Sequence, residues 1–194
     1  MVRIITILSL FVLVLSWGVK TRILEDNITV VPSNCEVFEK KSLFEKTLLN
    51  IIDTSCIYIE AFSYLTNGKD FKRIDKKVYY RTDYHTTYYK FYSNGCFNYF
   101  FALDTDFYKF LKTDNLNPKI SGHRGVFYKK DKDVHLELFT IVGYNFKTTY
   151  GLNSSIVEIR GDTLFRKSKF DLKYVNVYVR KKLPKEFLVY KPDW

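Results

Sequence analysis

Apolar and polar positions alternate most regularly near the end of the chain, where Val175, Val177 and Val179 interleave with Tyr174, Asn176, Tyr178 and Arg180 until Pro184 intervenes. A period of two is that of a strand with one dry face, so the valines are expected to face the core and the Tyr/Asn/Arg set to face solvent. The same period runs through Val134, Leu136 and Leu138, with His135 and Glu137 between them. That arm, Asp133 to Val142, is predicted to pair with His123 to Lys129. A further hairpin is expected between Ser155–Ile159 and Thr163–Arg166, across Arg160-Gly161-Asp162. Upstream, Tyr88–Tyr92 and Cys96–Phe101 flank Asn94-Gly95, a dipeptide that readily supplies the positive φ of a tight turn. Cys56 to Phe62 has strand composition and stops at Thr66-Asn67-Gly68, and Ile28–Val31 is a shorter β-like piece.

One segment has a helical period. From Glu36 to Ile52, Val37, Lys41, Phe44, Leu48 and Ile51/Ile52 recur every three or four residues, which predicts an amphipathic helix packed on or plugging the end of a barrel. No helical pattern separates consecutive strands after Gly68, so a parallel sheet is excluded. About eight to ten strands joined by turns form a meander that closes most economically on itself, with two packed sheets as the alternative. The expected fold is all-β with one N-terminal helix: an antiparallel up-and-down barrel forming a single domain over residues 19–194.

Hydrophobicity is concentrated at the start. Ile4 to Val19 carries no charge and follows Arg3, and the run ends at Lys20 and Arg22. It is short for a membrane span and is read as a signal peptide of residues 1–18, cut after Gly18, with an uncleaved anchor as the alternative. Export to the periplasm or beyond is the expectation. It permits a disulfide among Cys35, Cys56 and Cys96, for which Cys35–Cys56 is the favoured pair and three reduced, buried thiols the alternative. Removing Arg3 with the leader takes 31 basic residues to 30, against 21 acidic. This surplus suits anionic surfaces, although its dispersal along the chain is equally that of a solvated exterior. In an exported protein, nucleic acid is not an expected partner.

Catalytic patterns are weak. His85, His123 and His135 fall on different predicted elements, there is no Cys-x-x-Cys and no Gly-x-Ser-x-Gly, and no glycine-rich loop opens a helix. Carboxylate pairs such as Asp104/Asp106 and Glu158/Asp162 read as turn acceptors. No metal, cofactor or enzymatic activity is expected. Sixteen Tyr and 17 Phe carry the better hypothesis. A barrel lined by rings would take a small apolar or amphipathic ligand, with Tyr89, Phe91, Phe97, Tyr99 and Phe101 as the inward set; ordinary core filling is the competing reading. A second hypothesis places Tyr174, Tyr178 and Arg180 on an exterior that docks an envelope protein or an anionic glycan or lipid surface. An outer-membrane barrel is disfavoured by Pro184 and Pro192 and by Asn176 and Arg180, expected to face outward.

Four stretches together carry a resemblance: Tyr88 to Gly95, Gly122 to Tyr128, Ile159 to Leu164, and the ending Pro184 to Trp194. Over residues 78–194 the chain resembles small exported bacterial lipocalin-like proteins. The resemblance implies the barrel alone, and it brings no catalytic residues. The Gly-x-Trp of the first strand of true lipocalins is absent, the two tryptophans being Trp17 and Trp194.

Overall fold

The computed structural model describes residues 19–80, 85–102, 107–111, 114–144 and 148–194. Eight antiparallel strands form a closed barrel: β3 (Cys56–Leu65), β4 (Thr86–Phe91), β5 (Cys96–Ala102), β6 (His123–Lys130), β7 (Asp133–Tyr144), β8 (Thr148–Arg160), β9 (Thr163–Ser168) and β10 (Tyr174–Lys182). Each pairs with the next, and β10 closes onto β3, with Lys182 opposite Cys56 and Tyr174 opposite Leu65. Closure leaves no sheet edge, which suits strands this rich in aromatic and β-branched residues. Two short strands, β1 (Thr21–Ile23) and β2 (Val30–Pro32), pair separately.

The β4–β5 turn is built as its sequence requires. Gly95 adopts φ 82°, and the Tyr92 N–H donates to the Cys96 carbonyl at 2.9 Å. A Cβ at Gly95 would stand 2.6 Å from Cγ of Phe44, so glycine serves both the turn and the plug packed beneath it.

That plug is not the single helix expected over Glu36–Ile52. The chain forms two 3-10 segments, Cys35–Leu43 and Lys46–Asn50, separated by extended backbone at Phe44 and Glu45 and kinked at Phe38. The apolar positions serve two surfaces. Phe38 packs outside the barrel with Tyr92, Cys96, Val126, Phe139 and Trp194, whereas Leu48 and Ile52, with Phe44 against them, enter the barrel core. One straight helix cannot reach both. The first segment is capped by the Asn34 side chain, which accepts from the Glu36 N–H at 2.9 Å.

The outer wall is also covered. The short helix α1 (Phe107–Leu111) packs Phe107, Phe110 and Leu111 against Tyr88 and Phe100, and the connection after β3 lays Phe71 over Phe62, Tyr64, Val175 and Val177. The C-terminal segment straps β5 and β6. Trp194 Nε1–H donates to the Gly125 carbonyl at 3.0 Å, Arg124 lies over its ring at 4.7 Å, and Arg124 pairs with Asp193 at 2.9 Å. Among the described residues no helix is long and apolar enough to cross a membrane.

Candidate functional site

Strand register decides which side chains face inward, and it divides the interior in two. Towards the end holding the β4–β5, β6–β7 and β8–β9 turns, Tyr58 pairs across from Tyr89, Phe91 from Phe97, Phe127 from Leu136, and Leu164 from Tyr178. These residues are buried in one cluster with Leu48 and Ile52 from the plug. Their rings meet mostly edge to face or tilted: Phe91–Phe127 at 5.3 Å and 90°, Tyr89–Tyr178 at 4.9 Å and 81°. Gly125 makes room for this packing, since a Cβ there would lie 2.2 Å from Cζ of Phe97.

The other half is different. On the same inward faces, Ser63, Tyr99, Asn153, Arg166, Ser168 and Asn176 are all part-exposed although they sit inside a closed wall. Among the described residues, the half opposite the plug is therefore less tightly packed than the half holding it. Most of these side chains are small, with Thr140 and Gly151 completing the lining on β7 and β8. An eight-stranded barrel has just the width that large side chains fill, so small ones leave room.

Among the described residues, two charges stand in this chamber. Glu60 accepts hydrogen bonds from Thr87 Oγ1 and from Asn176 Nδ2, the latter at 3.2 Å. Arg166 donates through Nε to Ser155 Oγ at 3.0 Å, and its guanidinium faces the hydroxyls of Tyr89, Tyr178 and Tyr99. Burial opposes its charge, yet the surrounding phenolic oxygens favour it, so it stays protonated. Burial pushes the hydroxyls of Tyr89 and Tyr178 well above their ordinary range, which keeps both neutral and able to donate. At the mouth, His123 lies 6.3 Å from Tyr99, and His85 lies tilted against Phe101 at 4.7 Å.

The expected ligand-lining aromatics are distributed by this division. Tyr89, Phe91 and Phe97 belong to the dry core, where they fill space; Tyr99 stands at the boundary; Phe101, 48% exposed, stands at the mouth. Of the expected docking set, Tyr174 is 41% exposed, but Tyr178 is 1% exposed and lies inside the barrel. The valines of β10 are on the outer wall instead; the connection after β3 covers Val175 and Val177 and makes that part of the wall as dry as the interior, while Val179 is exposed. Asn176 likewise points inward, so it gives no argument about a lipid-facing surface. Arg180 is held between Asp53, at 3.3 Å, and Asp162. It borders an open hollow of about 310 Å³ beside the plug, lined by residues 49–54.

The expected Cys35–Cys56 bridge is not formed, and all three thiols are free. Cys35 is near the Asp193 carbonyl at 3.6 Å, whereas Cys56 donates to Asp53 Oδ2 at 3.1 Å at the start of β3, so the fold holds them at separate places. Beside Cys56, burial lowers the Lys90 ammonium to about 8 while it donates to the Thr54 and Phe91 carbonyls. This group ties the plug to the wall. Among the described residues no group of three His, Cys, Asp or Glu side chains is placed to hold a metal. Asp104 and Asp106 lie outside the described residues, and Glu158 is paired with Arg160 at 2.7 Å.

Glu60, Asn153 and Arg166 were not among the residues singled out from the sequence, and Asn176 was read there as facing outward. For Arg166 a signal existed: with Leu164 inward, the period of two places Arg166 inward as well. Comparison with protein-family models, with curated proteins and with solved structures finds no match, so the site's own chemistry carries the functional argument.

Proposed function

We propose that this chain is a binding protein rather than an enzyme, that it takes a small amphipathic ligand through the open end of the barrel, and that it works outside the cytoplasm. The observation that carries the reading is the asymmetry of the interior: a solvent-reached chamber lined by small and polar side chains ends on a dry aromatic floor. An apolar core alone would need no polar inward faces, and polar groups placed there carry a desolvation penalty unless they contact water or a ligand. Support for export comes from the uncharged stretch Ile4 to Val19. The test is a titration of the leaderless chain with the uncharged dye Nile red, followed by competition with twelve-carbon alcohols and acids. Saturable fluorescence reversed by the competitor is expected; no saturable site would end the transport reading.

A specific observation also favours the docking reading, moved to a different surface. Exposed Tyr80, Phe170 and Tyr174 occur near the mouth together with Lys69, Lys72, Lys76, Lys169 and Lys173. Aromatic rings among cations suit an envelope protein or an anionic surface. Capture of a partner from envelope extract is expected to weaken with Tyr174→Ala while the melting temperature holds; unchanged capture would dismiss this role.

A further inference from the structure

Arg166 is the interior charge that packing does not explain. It stands on β9 opposite Val157 of β8 and Asn176 of β10, and its neighbours inside the wall are hydroxyls and amides. Among the described residues no carboxylate lies within ion-pair range of it. The acidic group of the same chamber, Glu60, is two strands away and engaged by Thr87 and Asn176. A cation inside a protein wall with no carboxylate beside it among the described residues is unfavourable. Further along the same face of β8, two residues from Ser155, the Asn153 Oδ1 atom is buried without a hydrogen-bond partner among the described residues.

A planar guanidinium is suited to two parallel hydrogen bonds to a carboxylate. The tyrosine hydroxyls beside it are neutral, so they do not oppose an anion there. The route from the mouth passes Tyr99, His123 and Phe101, whose rings suit an apolar chain. From this arrangement we infer that the chamber binds a monocarboxylate amphiphile with the acid end inward on Arg166 and the chain directed towards the mouth. The inference rests on the ligand-binding reading above and adds to it the charge and orientation of the ligand.

The test compares dodecanoate with dodecanol by Nile red displacement from the leaderless protein, in the wild type and in Arg166→Met, Arg166→Lys and Tyr99→Phe variants. A charge-assisted contact in a shielded site makes dodecanoate bind on the order of tenfold or more tightly than dodecanol in the wild type. Arg166→Met should abolish that preference, and Arg166→Lys should retain part of it. Tyr99→Phe should weaken the acid by a smaller factor. Equal binding of acid and alcohol to the wild type would overturn the inference while leaving the ligand-binding reading intact, and needs no variant to fold. Preference for the acid that survives in Arg166→Met would also overturn it. Failure of both compounds to displace the dye would instead remove the ligand-binding reading itself.

Discussion

Gly125 and Phe97 show how closely the core is fitted. The glycine faces the ring on the neighbouring strand, and even one methyl group would stand 2.2 Å from it. Gly125→Ala should therefore destabilise the fold by about 1–3 kcal/mol through overpacking, and Phe97→Ala by about 3–5 kcal/mol through the cavity it leaves. Urea unfolding with unchanged m-values would check both. Two imidazoles set a pH dependence. Burial holds His123 and His135 below the ordinary histidine range, with Asp26 opposing the shift at His123 and Lys169 adding to it at His135. The unfolded chain thus takes up protons first as acid is added. Their contribution is fully present above the unfolded value of about 6.5 and is lost as pH falls from there through the lower folded values. Urea midpoints should drop between pH 7.5 and 5.5, and the double His→Gln variant should flatten the drop; an unflattened curve would assign the acid sensitivity elsewhere.

At the level of elements, the strap and the plug hold the wall from outside and from below. In the chain from residue 19 onward Trp194 is the single tryptophan, and it is buried. Its fluorescence should be blue-shifted in the folded protein and move to the red on unfolding. Trp194→Ala should lower stability by about 3 kcal/mol or more, because it also uncovers the buried Arg124 guanidinium. The thiols separate the two sequence readings of the cysteines. Cys35 is exposed, while burial raises the Cys56 thiol and pushes Cys96 up to about 11. One thiol should react rapidly with Ellman's reagent in the native state and two more only on unfolding, with a melting temperature indifferent to reductant. A reductant-dependent loss of several degrees would show that a bridge forms. The strands and their turns were legible because Asn94-Gly95 and the period of two are local properties. The continuous helix was misread because Phe38 and Phe44 answer to different surfaces, which no local period records.

Taken as a whole molecule, the barrel followed from the meander, since strands joined by turns and lacking crossover helices have few other ways to satisfy their edges. Which face of each strand looks inward did not follow. The β3–β10 register shifts between Val177 and Tyr178, skipping Ala61, and parts of the outer wall are buried under α1, the connection after β3 and the C-terminal strap. Where both faces are dry, hydrophobicity no longer distinguishes inside from outside, so Tyr178 and the valines of β10 exchanged places relative to the sequence reading. The polar chamber was hidden for the same reason: Arg166 and Asn176 look like surface residues until closure encloses them. The most direct measurement is a ¹⁵N NMR titration of the leaderless protein with dodecanoate. Saturable shifts concentrated at Ser63, Asn153, Arg166 and Asn176, with the amides around Phe91 and Phe97 nearly still, are expected. Shifts confined to the hollow beside Arg180 or to the outer wall, or none that saturate, would contradict a binding chamber at the open end.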